Sequence, residues 1–379
     1  MLKDIINAAK DFVDREEELE ELKKSKESLK NQKPRHIAIT GARRLGKTYL
    51  SYKYIQKSLS KDIIPIYIDV LYKRNWSGLC DEIIKSMIEN YTYCSGKKLR
   101  VEKFSKWFTG KFQEITERLS KIEAEIGNAT GTYLKLRLSI EKSEDEIELV
   151  KATLKSLEEF SEKRNVHIIL ILDEFQHVEK FSNMAETIAV MRSVIQFQKR
   201  MQYIFSGSST TFINKIFAKS TSAFWRQVEI YSLSPFDAKA TKKLAKLWNI
   251  DLGEKEIDLL KKLTKGIPDY IVKTMERISD IKNPDCNDIK YAFQEIAERE
   301  TPLFSDLFER LTTLQQGVLL ILAKEKNQYK ELEDELGRKV GGILHQMINA
   351  QLIERVEKGK YDIFDPLFKE FIKNRISLG

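Results

Sequence analysis

Residues 41–48 read GARRLGKT, which places two glycines, a lysine and a threonine in the order of a phosphate-binding loop. The glycines let the backbone curve so that its N–H groups face phosphate oxygens. Lys47 would reach the β and γ phosphates of a nucleoside triphosphate, and Thr48 would coordinate Mg²⁺. The residues expected to contact ATP or ADP in this segment are Gly41, Ala42, Arg43, Arg44, Leu45, Gly46, Lys47, Thr48 and Tyr49.

A pair of acidic residues follows a hydrophobic run of the kind that is buried in a parallel sheet. Residues 167–172 read HIILIL, and Asp173 and Glu174 come next. An aspartate at the end of a buried strand could bind the Mg²⁺ held by Thr48, and Glu174 could polarise the attacking water as general base. The alternative is an acidic pair that merely ends a strand in solvent.

Two further polar sites follow later strands. Ser206 and Ser208 could bond the γ phosphate or the attacking water as a sensor, or could instead belong to the cap of the next helix. Arg226 could reach a γ phosphate in its own subunit or in a neighbour, or could be a surface arginine beside an aromatic pair. Both alternatives are left open.

Alternating apolar strands and helices position these groups. Strands are expected at residues 36–40, 63–71, 167–172, 202–205 and 228–233, with a helix directly after the glycine loop. This order predicts an α/β fold with a parallel sheet. Residues 237–310 are predicted to form a helical lid, and residues 311–379, with three helices and a hairpin, a C-terminal winged-helix domain.

One long segment does not fit the alternation. Within the predicted core, residues 1–236, we expect an insertion at about 96–162 that contains helical and period-two stretches. The simplest interpretation is a subdomain with its own small core, and a partner-binding arm is the alternative.

Composition restricts the class of protein. The 65 basic and 57 acidic side chains give a net charge of +8, which permits attraction to DNA without identifying a partner. Cys80, Cys94 and Cys286 lie far apart, as in a reduced intracellular protein. No apolar run is long enough for a membrane span, so we expect a cytoplasmic protein.

In the order of its motifs, the chain resembles the archaeal ATPases of the AAA+ and STAND group of P-loop proteins. The resemblance is carried by residues 12–19 (FVDREEEL), residues 41–48 with the Arg43-Arg44 pair, residues 172–176 (LDEFQ), residues 206–208, Arg226 and residues 266–268 (GIP). It implies an ASCE-type sheet with a helical lid and a winged helix. It also implies that five residues contact the nucleotide: Phe12, Val13, Arg15, Ile267 and Pro268. The four hydrophobic residues among them are expected to lie near the nucleotide's base.

Two features depart from that family pattern. The lid offers no clear arginine of the second-sensor type, and 126 positions separate Lys47 from Asp173. The predicted recognition helix, residues 343–352, is also poor in basic side chains, so DNA binding and protein packing both stay open as its role.

Three functions are compatible with these residues. The first is a Mg²⁺-dependent ATPase whose nucleotide state moves the lid and the winged helix. The second is a nucleotide-gated regulator or DNA-binding switch with little turnover. The third is a scaffold that forms a homo-oligomer or binds a protein partner through Arg226 and the insertion.

Overall fold

The computed structural model describes residues 2–9, 12–96, 145–208, 210–218, 224 and 226–378. These residues form two compact units, Met1–Ser234 and Pro235–Gly379, and each is described by itself.

A five-stranded parallel sheet is the centre of the first unit. Its strands are β1 (His36–Thr40), β2 (Ile63–Asp69), β3 (His167–Asp173), β4 (Met201–Gly207) and β5 (Val228–Ser232), in the spatial order β2-β3-β4-β1-β5. Every residue of β1, β3 and β4 is buried, as expected of strands that are covered on both faces. The predicted α/β fold with a parallel sheet is confirmed.

Helices cover both faces of this sheet. The helices of the first unit are α1 (Leu2–Ala8), α2 (Glu16–Lys30), α3 (Lys47–Ser58), α4 (Trp76–Ser95), α5 (Glu146–Arg164), α6 (Met184–Ile195) and α7 (Thr210–Ile213). Short 3-10 helices, Val70–Tyr72 and Phe175–Lys180, follow β2 and β3, and a π-helical turn, Asn214–Ala218, follows α7.

The predicted insertion extends too far toward the C-terminus. Helix α5 begins after the N-cap Asp145, whose side chain accepts hydrogen bonds from the N–H groups of Ile147 and Glu148. The apolar side chains of α5 are buried in the core of the sheet unit beside α4 and α6; they are Leu149, Val150, Leu154, Leu157 and Phe160. The helical periodicity of these residues is therefore that of a sheet-covering helix. The rest of the predicted insertion, residues 97–144, lies outside the described residues.

Aromatic packing anchors the segment that follows β3. Phe175 is fully buried, and its ring centroid lies 4.8 Å from that of Phe205 and 6.2 Å from that of Phe217. Packed aromatic pairs of this kind contribute beyond the area they bury. Because Phe175 is fixed in the core, the preceding Asp173 and Glu174 are fixed at the sheet edge.

The second unit is helical with one hairpin. Its helices are α8 (Ala238–Leu247), α9 (Glu254–Thr264), α10 (Pro268–Ile278), α11 (Cys286–Arg299), α12 (Thr301–Glu309), α13 (Thr313–Ala323), α14 (Tyr329–Leu336), α15 (Gly341–Asn349) and α16 (Pro366–Leu378). Strands β6 (Ile353–Glu357) and β7 (Lys360–Ile363) pair antiparallel between α15 and α16.

This order of helices and hairpin matches the order predicted for the C-terminal region, although residues 235–379 form one compact unit. The winged-helix assignment and the division into a lid and a C-terminal domain stay predictions. Among the described helices, none is both long and apolar enough to cross a membrane.

His36 is a buried titratable group at the start of β1. Its side chain is 7 % exposed, and Nδ1 accepts a hydrogen bond from the Tyr203 N–H at 3.3 Å. Burial lowers the pKa of His36 to about 4, because the protein interior disfavours the imidazolium. An acceptor nitrogen also requires the neutral ring.

We expect this histidine to destabilise the fold in mild acid. Between the ordinary pKa near 6.5 and the folded value of about 4, the unfolded chain binds a proton that the native chain excludes. The free energy of unfolding begins to decrease as pH falls below about 6.5, and the decrease reaches about 3 kcal/mol at pH 4. Urea unfolding of the parent and of a His36→Gln variant at several pH values between those limits measures the difference.

His345→Gln, which replaces a histidine at an exposed position, is the matched control. If His36→Gln and the parent lost the same free energy of unfolding on acidification, the burial argument would be wrong.

Candidate nucleotide-binding site

The loop between β1 and α3 has a backbone that glycine permits. Gly41 has a φ of 143° and Gly46 a φ of 86°, which lie in the region that side chains disfavour. A Cβ on Gly41 would lie 2.9 Å from the carbonyl oxygen of Leu233. The first glycine of the motif is therefore required both by its φ and by the close approach of the chain after β5.

The loop runs directly into the N-terminus of α3, which begins at Lys47. The unpaired N–H groups and the positive end of the helix dipole favour an anion at this place. Arg43, Arg44 and Tyr49 are exposed beside the loop, and Arg44 has a φ of 68°. A left-handed residue other than glycine or asparagine is a sign of local strain, which is often found at functional sites.

Lys47 is folded back into the loop. Its side chain is 4 % exposed, and Nζ donates to the carbonyl oxygens of Gly41 at 2.9 Å and Ala42 at 2.7 Å. Burial lowers the pKa of Lys47, and the carboxylates of Glu174 and Asp173 oppose that effect. A phosphate group in the loop would offer this ammonium a charged acceptor in place of neutral carbonyls.

The carboxylate of Asp173 joins the loop to the end of β3. Thr48 Oγ1 donates to Asp173 Oδ2 at 2.6 Å, and the Glu174 N–H donates to Oδ1 at 3.0 Å. Ser206 Oγ donates to Oδ1 from β4. Asp173 is 1 % exposed, so these contacts replace the water that the carboxylate loses.

Ser206 therefore has a contact that the sequence did not predict, because its hydroxyl is directed to Asp173. Its predicted role as a sensor of the γ phosphate stays a prediction. Ser209, part of the alternative capping segment, lies outside the described residues.

Tyr67 was missed in the sequence analysis. It lies on β2, where Asp69 pairs with Asp173 in the register, and its hydroxyl donates to Asp173 Oδ2 at 2.7 Å. Burial, reinforced by Asp173, raises the pKa of Tyr67 well above its ordinary value. The one signal was a hydroxyl-bearing residue within an otherwise apolar strand close to its carboxyl end.

Glu174 has a left-handed backbone with a φ of 50° and lies next to two polar partners. Gln176 Nε2 donates to Glu174 Oε2, and Ser208 Oγ donates to the same oxygen at 3.3 Å. Gln176 Nε2 also contacts Ser208 Oγ at 3.1 Å. Within the described part of the chain Oε1 of Glu174 accepts no hydrogen bond, so that oxygen could accept a proton from water.

Arg15 is a buried residue that donates hydrogen bonds to the backbone of the glycine loop. Its side chain is 7 % exposed, and Nη2 donates to the carbonyl oxygens of Leu45 at 3.2 Å and Ser234 at 2.6 Å. These contacts tie the loop to the chain that leaves β5. The direct contact with nucleotide that we predicted for Arg15, and for Phe12 and Val13 just before it, stays a prediction.

Ile267 and Pro268 belong to the second unit. Ile267 is the N-cap residue of α10, and Pro268 is its first residue, a position where the missing N–H of proline costs nothing. Gly266 has a φ of 70°, and a Cβ there would collide with the carbonyl oxygen of Phe236. The contact of this motif with a nucleotide stays a prediction.

Arg226 lies at the opposite edge of the sheet from the loop. In the parallel pair of β1 and β5, His36 pairs with Val228 and Thr40 with Ser232, so Arg226 precedes the edge where the strands begin. The loop follows the edge where they end, about 13 Å away at roughly 3.3 Å per residue. The predicted contacts of Arg226 with a γ phosphate, in its own subunit or in a neighbouring one, both stay predictions.

The oxygen donors at this site suit magnesium. Because Thr48 gives its proton to Asp173, the lone pairs of Thr48 Oγ1 can face a cation. Magnesium prefers oxygen ligands and usually has one or two from the protein, with phosphate and water completing the shell. Thr48 and Asp173 are the residues that would hold it.

The fold is similar to that of known P-loop ATPases. A Walker-type ATPase of Pyrococcus abyssi shares 20 % identity over 96 % of each chain, with a TM-score of 0.64. The ORC2 protein of Aeropyrum pernix, solved in ADPNP–ADP complexes, shares 12 % identity over 96 % of this chain and 95 % of its own, with a TM-score of 0.54. These likenesses establish the fold.

A search of the curated proteins found no match to the chain. The model of a family described as an ATPase domain predominantly from Archaea matches residues 12–274. This match includes the glycine loop, the Asp173-Glu174 pair and the Gly-Ile-Pro motif, as the resemblance predicted. The chain belongs to this family of predominantly archaeal ATPase domains.

Proposed function

We propose that the chain binds ATP with Mg²⁺ at the glycine loop and hydrolyses it to ADP and phosphate. The observation that carries the proposal is the 2.6 Å hydrogen bond between Thr48 and Asp173, which joins the loop to the acidic end of β3. A phosphate-binding loop alone would support binding. The acidic pair beside it supports hydrolysis.

The cationic, acidic and hydroxyl side chains of the site have different roles in this reaction. Lys47 supplies a cation to the β and γ phosphates once it leaves the loop carbonyls, and the N-terminus of α3 adds partial positive charge. When bound at Thr48 and Asp173, Mg²⁺ supplies neutralisation of the charge on the phosphates. Glu174 holds a water molecule through Oε1 and accepts its proton as the water attacks the γ phosphorus.

Two variants separate binding from hydrolysis. Lys47→Ala should lose nucleotide binding, because the loop then has no cation for the phosphates. Glu174→Gln should keep binding but lower phosphate release by roughly 100-fold or more, because an amide cannot accept the proton. Fluorescence of a mant-labelled nucleotide measures binding, and a coupled phosphate assay measures turnover.

Lys57→Ala on the exposed face of α3 and Glu179→Gln on the 3-10 helix are matched controls that should behave as the parent. Equal phosphate release from the parent, Lys47→Ala and Glu174→Gln would refute the proposal.

We further propose that the nucleotide state moves the second unit as one body. Two residues close to the Gly-Ile-Pro motif bind elements further along the chain: Lys265 binds the hairpin, and Tyr270 binds Asp365 at the start of α16. Lys265 Nζ donates to Glu354 Oε1 at 2.6 Å and forms an ion pair with Asp362 at 2.7 Å. A displacement of the motif would therefore be transmitted to β6 and β7 without a flexible joint.

Tyr270 completes the connection. Its hydroxyl bonds Asp365, and Asp365 Oδ1 accepts hydrogen bonds from the N–H groups of Leu367 and Phe368 at the start of α16. The first turns of α10 and α16 are thus joined through one carboxylate. This arrangement supports a lid and a C-terminal region that move together.

Loss of the Lys265 contacts should uncouple the hairpin from the motif. Hydrogen exchange in the parent should differ between the ATP-bound and nucleotide-free states at β6 and β7. In Lys265→Ala this difference should shrink several-fold, because the partially buried ion pairs are gone. Lys262→Ala, at an exposed position in the last turn of α9 just before Lys265, should retain the parent pattern of hydrogen exchange. A full nucleotide response of the hairpin in Lys265→Ala would contradict the coupling.

A second candidate is a nucleotide-gated DNA switch with little turnover. It is favoured by exposed basic side chains in the second unit: Arg338 and Lys339 directly before α15, and Arg355 and Lys358 in the hairpin. Exposed Glu357 lies among them and weakens the positive field. This candidate predicts salt-sensitive DNA binding that depends on the nucleotide.

Gel shifts of duplex DNA with ATP, with ADP and without nucleotide test this candidate. Reversal of both charges in an Arg338→Glu/Lys339→Glu variant should weaken binding by about tenfold or more, because two phosphate contacts become repulsive. The double variant Lys242→Glu/Lys246→Glu on α8 changes the net charge equally at other exposed positions. Absence of a shift under all three conditions would eliminate the switch.

A further inference from the structure

Four hydrogen-bond donors surround the carboxylate of Asp173: two lie on strands, one on a helix, and one is the backbone N–H of the next residue. Thr48 and Tyr67 donate to Oδ2, while Ser206 and the Glu174 N–H donate to Oδ1. In the described part of the chain, no lysine or arginine forms an ion pair with this carboxylate. Its orientation therefore depends on neutral donors.

The two oxygens are not held equally. Oδ1 accepts hydrogen bonds from the N–H of Glu174, directly after β3, and from Ser206 on β4. Oδ2 has Thr48 and Tyr67. Thr48 is also the expected magnesium ligand. Tyr67 is therefore the donor to Oδ2 that would not itself bind the ion.

Tyr67 is itself rigidly placed. Its side chain is 6 % exposed, and its ring meets that of Tyr52 edge-on with centroids 5.0 Å apart. Tyr52 lies one helical turn after Thr48 on α3. The two donors to Oδ2 therefore come from α3 and β2, which contact each other through these two rings.

We propose that Tyr67 is a positioning residue for the magnesium site, which orients Asp173 Oδ2 toward Thr48 so that both oxygens are ready to hold the ion. This inference rests on the proposed Mg²⁺-dependent ATPase function. Loss of the hydroxyl leaves Oδ2 held by Thr48 alone. The binding of Mg²⁺ then weakens, and the loop keeps its own affinity for the nucleotide.

The test is a Mg²⁺ titration of the full chain in the presence of a mant-labelled, non-hydrolysable ATP analogue. Tyr67→Phe should raise the Mg²⁺ concentration for half-maximal fluorescence change by about tenfold, the usual effect of losing a partner of a metal ligand. Binding of the analogue in EDTA should stay within about twofold of the parent, because the loop contacts are unchanged.

Three further variants make the result specific. Tyr54→Phe is the matched control on α3, because its buried hydroxyl donates to Gln202 away from the site, and it should titrate as the parent. Tyr67→Met also lacks the hydroxyl donor, so its half-maximal Mg²⁺ concentration should rise as in Tyr67→Phe. In an Asp173→Asn background, Tyr67→Phe should add no further shift.

The outcomes separate this inference from the proposed function. If the parent binds the analogue without any response to Mg²⁺, the proposed function fails and the inference fails with it. If the parent responds and Asp173→Asn does not, but Tyr67→Phe and Tyr67→Met titrate as the parent or more tightly, only the role of Tyr67 is overturned. An equal loss of affinity in EDTA and in Mg²⁺ would also overturn it.

Discussion

The carboxylate of Asp173 is withdrawn from water at the end of β3, and the rest of the site is arranged around that constraint. A buried charge costs several kcal/mol unless it is paired or fully hydrogen-bonded. Donors reach it from α3, β2, β4 and the backbone N–H of Glu174, so the parallel register of three neighbouring strands is a condition of the site. The buried charge and the glycine loop meet because β1 and β3 end at the same edge of the sheet.

Strain near this edge is offset by packing elsewhere in the unit. Arg44 and Glu174 both have left-handed backbones at the site. Such conformations persist only where the surroundings fix them, and Phe175 among the rings of Phe205 and Phe217 provides that constraint directly after Glu174. Arg15 does the same for the loop through the carbonyl oxygen of Leu45.

The second unit shows how a local motif acquires distant contacts. Gly266 takes a conformation suited to glycine between α9 and α10, and the residues on either side of the motif extend to the hairpin and to α16. Partly buried ion pairs such as Lys265 with Asp362 are screened less by solvent than surface pairs. The helices and hairpin of Pro235–Gly379 form one compact unit that contains the Gly-Ile-Pro motif.

Local patterns in the sequence were sufficient for the loop, the Asp173-Glu174 pair and the parallel sheet, because phosphate-binding turns and doubly buried strands are short and have characteristic compositions. Tertiary structure alone showed that α5 packs in the core, that Arg226 lies at the far edge, and that Ser206 and Tyr67 bind Asp173. Those facts depend on which strands become neighbours and on their register. Hydrophobic periodicity shows that a segment is buried, but the partner that buries it is determined only when the whole chain has folded.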